Sequence, residues 1–190
     1  MEPQQVYAVL QENGLGVSDV TPFAQMSEAA GGMLTGDSIL FVDGFDRALK
    51  IPDKGYPGMS LQKTESEKAI RGSNEGFGDS IKQNTALIRK RLRSVDLKVA
   101  ECKCGRRTGT NVDIMYLDGI VRPEIVTQMQ QRLAAFEIDG IGDSGVIEQL
   151  TETQWFSPFP QYQTTRRPDR AVMALLEGRA VLLADNSPEV

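Results

Sequence analysis

The chain contains no histidine, and that single absence removes most of the familiar catalytic apparatus. Ser-His-Asp and Cys-His nucleophile systems and His-ligated metals cannot be assembled without an imidazole. Cysteine is scarce as well. Cys102 and Cys104 are too few and too close together for a disulfide scaffold. Two residues apart in a predicted strand, they point to the same face. No third cysteine or histidine exists to complete four ligands, so no metal and no cofactor is expected. The pair reads as buried or idle thiols of a reducing compartment. Long apolar runs are missing too: the longest, 171–176, is six residues, where a spanning helix needs about 20. The opening Met1-Glu2-Pro3 is acidic, with no basic start before an apolar stretch, and so does not resemble a signal peptide.

What remains is an ordinary globular composition, 40% hydrophobic and 25% charged, which argues against disorder. At 190 residues the chain is one medium domain or two small ones. Periodicity and turn residues predict helices over 3–11 and 22–33, a strand over 38–43 turning at Asp43-Gly44, and a return strand over 48–51. Pro52, Gly55, Pro57 and Gly58 mark a connector over 52–66. Ile81, Thr85, Ile88 and Leu92 place an amphipathic helix over 79–93. A hairpin follows, 97–104 and 111–117, joined by "GRRTGT". A helix then starts at Pro123 and runs to Phe136, its stripe being Ile125, Met129, Leu133 and Phe136 with Val126 beside it. A short helix over 146–150, an extended "SPFPQY", a helix over 168–176 ended by Gly178, and a strand over 179–184 complete the chain.

This pattern predicts an α/β (mixed α+β) protein of two small αβ subdomains, each a short mixed sheet with flanking helices. The expected boundaries are 1–64, completed by 168–190, and 65–167. Internal similarity supports a shared αβ unit. At an offset of 142, Ala29, Leu34, Gly36, Leu40 and Asp43 coincide with Ala171, Leu176, Gly178, Leu182 and Asp185. Any helix-to-strand unit also needs a glycine and a turn former at those places, so five identities leave both explanations open. The first copy returns as a second strand while the last stops at Val190, which leads us to expect a cut in a longer protein.

Three features could carry chemistry. "IRGSNEGFGDS", residues 70–80, is a glycine-rich loop entering a helix, where backbone N–H groups attract anions. It lacks the G-K-[ST] ending of a P-loop and the spacing of a dinucleotide fingerprint, so a structural loop is the competing reading. From Lys82 to Arg107 there are nine Lys or Arg against two acids, in a protein of net charge −5. Lys82, Arg89, Arg93, Arg106 and Arg107 are candidates for a basic docking face toward a partner or anionic lipid, or are simply solvated. No aromatics alternate with them, which argues against nucleic acid. Asp43, Asp118, Asp139 and Asp185 each precede Gly or Asn at a strand or turn end. Turn formation explains them without invoking magnesium.

"RGSNEGF", "NTALIRKRLR", "GRRTGTNV", "EIDGIGDSG", "SPFPQ", "RPD" and "LLEGRAVLLADNSP" occur in the order typical of the GerA family of spore germination proteins. The chain resembles the A subunit of nutrient germinant receptors, closely over 65–190. The resemblance implies a soluble N-terminal region on the cytoplasmic (core) side of the spore inner membrane, with a membrane domain following residue 190. The implied partners are further A subunits, a transporter-like B subunit and a lipoprotein C subunit. The family usually shows T-E-R-P-D where this chain has Thr165-Arg166-Arg167-Pro168-Asp169, which puts a local salt bridge in question. Ser73 replaces a proline common in nutrient receptors and is similar to the stage V sporulation AF class.

The expected function is noncatalytic: transmitting or modulating nutrient signals through contacts with neighbouring subunits. Arg71, Gly72, Asn74, Glu75, Gly76 and Phe77, with Arg167, Pro168 and Asp169, are the ligand or interface candidates. Both segments are polar, shaped by glycine or proline, and precede a core helix. They equally suit a purely structural role at those helix starts. A second reading is a module binding a small nutrient in a cleft between subdomains. A third, a metal-dependent hydrolase using the aspartates, has no supporting signature.

Overall fold

Pro22 lies in a strand, not in the helix expected over 22–33. β1 (Thr21–Phe23) pairs antiparallel with β3 (Ala48–Ile51), Pro22 opposite Leu49, and β3 pairs on its other side with β2 (Ser38–Phe41). The order β1-β3-β2 makes β1 an edge, where a residue without an N–H can be accommodated. The helix starts later, as α1 (Met26–Leu34), and buries Ala29 and Gly32. The structure, a computed structural model, describes Gln5 and residues 20–52, 75–153 and 156–190. The helix expected over 3–11, most of the connector over 52–66, and the boundary at 64 lie outside the described residues.

Contacts divide the chain into two units: Met1–Met59 with Arg93–Val95, and Ser60–Leu92 with Asp96–Val190. The first contains α1 and the three-stranded sheet just described. In the second, the hairpin forms as expected from β4 (Leu97–Cys104) and β5 (Thr110–Leu117), in register from Leu97 opposite Leu117 to Cys104 opposite Thr110. β6 (Val181–Ala184) adds to the other side of β5, Val112 opposite Ala184. Every strand pairing among the described residues is antiparallel. The class is therefore mixed α and β with two small sheets, each antiparallel throughout.

The β6 pairing corrects the expected domain assignment. Residues 168–190 complete the second unit, not the first. Val181, Leu183 and Ala184 are buried, and α5 (Pro168–Leu176) packs on α2 (Ile81–Arg91) and on β5. The repeated αβ outline is real at the level of local structure. Each copy runs from a helix through a glycine at positive φ, Gly36 at 91° and Gly178 at 83°, into a strand. The two copies serve different sheets.

Side chains alternate across β5. Val112 and Ile114 join Cys104, Leu133, Ile141, Ile147 and Ala184 in one apolar cluster, beneath α3 (Pro123–Ala135) and α4 (Ser144–Thr151). Asp113 and Met115 turn to the opposite face, where Thr85 of α2 meets Asp113. Ile114 and Met115 are both wholly buried, so this part of β5 is covered on both faces. The thiols behave as small apolar groups: Cys104 is buried with its S–H toward the Leu133 carbonyl, and burial pushes both thiols up from their ordinary pKa. Two helical stripes are rotated from expectation. α3 buries Val126 and Leu133 and leaves Ile125 exposed, and α2 buries Asn84 and Leu87 beside Ile81 and Ile88.

Candidate functional site

The entry to α2 is fixed by an asparagine within its apolar stripe. Asn84 is fully buried, and its amide pairs reciprocally with Gly78. The Gly78 N–H donates to Oδ1 across 2.9 Å, and Nδ2 donates to the Gly78 carbonyl across 2.7 Å. Three further bonds bind this loop to the rest of the unit. The Phe77 N–H donates to the Arg166 carbonyl at 2.9 Å, and the Asn186 N–H to the Asp79 carbonyl at 2.7 Å. The Ile81 N–H donates to Oδ1 of Asp185 at 3.2 Å. The anion at this helix start is thus the protein's own Asp185, which fills the role a bound phosphate or carboxylate would take.

Glu75 and the Arg167–Asp169 segment meet at the other end of α2. Glu75 accepts from Nζ of Lys90 and from the Arg91 guanidinium, each at 2.7 Å. Arg167 grips Asp169 through two bonds of 3.1 and 2.5 Å, and the charge of Arg91 acts on Asp169 as well. The side chains of Glu75 and Arg167 are only 16% and 18% exposed, so these are shielded ion pairs. Lys90 above all holds the Glu75 carboxyl below its usual range, against the opposing effect of burial. Arg167 does the same for Asp169. Pro168 is buried at the first turn of α5, where its missing N–H costs nothing.

The strap between the two segments also holds the chain's last residues. The Thr165 N–H donates to the Val190 carbonyl at 2.8 Å, and the Val190 N–H returns to the Thr165 carbonyl at 3.0 Å. Arg166, where the resemblance leads one to expect Glu, reaches Glu189 through bonds of 3.0 and 2.7 Å. The arginine has an acid of its own, so a salt bridge forms here.

The structure therefore brings together Glu75, Gly76 and Phe77 with Arg167, Pro168 and Asp169. Arg71, Gly72 and Asn74 lie outside the described residues. Lys90, Arg91, Asn84 and Glu189 complete the arrangement and are not among the sequence candidates, and Asp185, expected only as a turn former, joins it. Lys90 and Arg91 are hidden in the basic run "RKR", and a lone Asn in an apolar stripe was the one available signal for Asn84. The five basic candidates are spread over several elements. Lys82 and Arg89 stand exposed on α2, whereas Arg93 precedes and Arg106 and Arg107 follow the eight residues of β4. Arg107 lies 3.5 Å from Asp139, both largely exposed. Asp118 serves its turn, accepting from the Gly119 N–H at 3.1 Å. No helix among the described residues is long and apolar enough to cross a membrane.

The family model described as "Bacillus/Clostridium GerA spore germination protein" matches residues 2–190. The chain is 38% identical to the uncharacterized membrane protein YfkQ of Bacillus subtilis, over 94% of this chain and 35% of that protein. It is 32% identical to stage V sporulation protein AF of the same organism, over 100% of this chain and 38% of that one. It thus spans little more than a third of the length of these relatives. Among solved structures, it resembles the N-terminal domain of the A subunit of the Bacillus megaterium spore germinant receptor GerK3. That match has a TM-score of 0.71 and 31% identity, covering 97% of this chain and 66% of that one. A family match over nearly the whole length, with the fold of a receptor A-subunit domain, settles the relationship: the chain belongs to the GerA family of spore germination proteins.

Proposed function

We propose that this domain is a noncatalytic transmitter of nutrient signals in a spore germinant receptor, acting as the A-subunit N-terminal region or its stage V counterpart. It works from the core side of the spore inner membrane, in contact with neighbouring subunits: further A subunits, a transporter-like B subunit and a lipoprotein C subunit. The observation that carries the reading is the convergence of Glu75 with Arg167 and Asp169 at the Lys90–Arg91 end of α2, backed by the bond from Phe77 to Arg166. Signal transmission needs contacts whose loss moves a rigid element, and a partly buried charge cluster at a helix end supplies them. The same strap grips residues 189 and 190, so a displacement of α2 reaches the last residues of the chain through few bonds.

Full-length protein carrying Gly76→Val or Arg167→Ala, accumulated to normal level in spores, should germinate slowly with nutrient. Germination at the normal rate in both strains would overturn the assignment. Protease digestion of the 190-residue region only after the membrane is permeabilised from the outside would fit the core side, and digestion in intact vesicles of outside-out orientation would refute it.

A further inference from the structure

Asp113 occupies an unusual place. It is a carboxylate in the middle of β5, only 9% exposed, on the face covered by α2. Thr85 of α2 donates its hydroxyl to Asp113 Oδ2 at 3.1 Å. Directly opposite on β4 is another acid: the register pairs Asp113 with Glu101. Like charges facing each other across a strand pair destabilise it. A third carboxylate, Asp185, follows β6 and also acts on Asp113. Arg89, two residues before Arg91 on α2, opposes them, and the exposed Lys103, two residues after Glu101 on β4, shares their sheet face. Cys102 on β4 feels the Asp113 charge in turn. α5, which also packs on β5, buries Pro168, Ala171 and Leu175, none of them titratable.

We propose that Asp113 is a proton-operated lock between the β4-β5-β6 sheet and α2, closed when Asp113 carries its proton and loosened when it ionises. In the protonated state the carboxyl is uncharged, and the strain against Glu101 and Asp185 disappears. It also gains a donor, so it can both accept from Thr85 and give a hydrogen bond to a neighbouring carboxylate. In the ionised state three negative groups share one sheet face, opposed by Arg89 on α2 and by the solvent-exposed Lys103 on β4. Burial, then Glu101 and Asp185, raise the pKa of Asp113 above the ordinary aspartate value, outweighing Thr85 and Arg89. A folded-state pKa that is raised means that the folded form binds the proton more tightly. Its stabilising contribution is complete below the unfolded value of about 3.9 and is lost as pH rises through the folded value. α2 is the element so loosened, and its two ends carry the Asp185 and Glu75 ties. The inference concerns this helix alone, and holds whether or not the Glu75 cluster relays a germination signal.

The test is hydrogen exchange of α2 amides in the 190-residue chain across pH, expressed as protection factors, alongside carboxyl-carbon NMR of Asp113. Protection should fall by up to tenfold per pH unit between the ordinary aspartate value and the pKa measured for Asp113, then level off. Asp113→Asn keeps an acceptor for Thr85 and should abolish this dependence. Glu101→Gln, which leaves Asp113 in place, should move the transition to lower pH and gives the answer if the first variant fails to fold. An Asp113 that titrates at or below the ordinary value, protection indifferent to pH, or a transition unmoved by Glu101→Gln would each overturn the proposal.

Discussion

The backbone N–H of Phe77 donates to the carbonyl of Arg166 across 2.9 Å, joining two segments 89 positions apart. Through this bond the glycine-rich loop and the RPD segment share one support. Each contributes an acid to the cluster around Arg91, Glu75 from one side and Asp169 from the other. A change in either segment should therefore be felt by both.

Asn84→Ala should be the most damaging single change in α2. It strands the N–H and the carbonyl of Gly78, both buried and otherwise bonded to the Asn84 amide. Two unsatisfied groups correspond to a loss of about 2–4 kcal/mol, read as a shift in the urea midpoint. A loss under about 0.5 kcal/mol would mean that water replaces the amide without difficulty.

Glu75→Gln should destabilise by about 1–2 kcal/mol near neutral pH, since Lys90 is partly exposed and screened. The sign with pH follows from the depressed Glu75 pKa. Its stabilisation is present above the ordinary glutamate value of about 4.3 and is lost as pH falls through the lower folded value. Wild type and variant should converge in acid and separate above it. Denaturation curves at several pH values check this, and a gap that widens in acid would contradict it.

Gly140→Ala tests the hairpin tip. A Cβ there would lie 2.6 Å from Cγ2 of Thr108, whose own N–H donates to the Asp139 carbonyl at 3.2 Å. The single variant should lose about 1–3 kcal/mol by overpacking. Thr108→Ser removes the clashing methyl but retains the hydroxyl that the Ile141 N–H and Thr110 use. The double variant should recover most of the loss, and strict additivity in a double-mutant cycle would refute the steric account.

Arg166→Glu places an acid against Glu189. The existing pair is about half exposed, so the loss should stay below about 1 kcal/mol. Adding Glu189→Arg should reverse it. A loss that the second change does not repair would show that Arg166 acts elsewhere.

The elements that follow from local chemistry were legible in the sequence. Pro123 and Pro168 start helices because their fixed φ suits a first turn, and the β4–β5 hairpin is framed by alternating side chains and a glycine-containing tip. Pairings that depend on distant residues were not legible. Pro22 argues against a strand unless the strand is an edge, and nothing local announces that β3 will supply the one partner it needs. Residues 168–190 look like a copy of 26–48, so pattern alone assigns them to the first unit, while burial of Val181 and Leu183 against the second decides otherwise. At the site, the loop and the RPD segment were visible as unusual composition. Their meeting was not, since it is made by backbone bonds and by Lys90 and Arg91, whose types fit a solvated helix end equally well.

The reciprocal bonds between Thr165 and Val190, beside the bond from Phe77 to Arg166, have a topological consequence. Phe77 and Val190 flank the same short strap, Thr165-Arg166, which ties three distant stretches of the unit together. The fastening is made by backbone groups, so ordinary side-chain substitutions leave it in place, whereas proline in place of Phe77, Thr165 or Val190 would remove a donor.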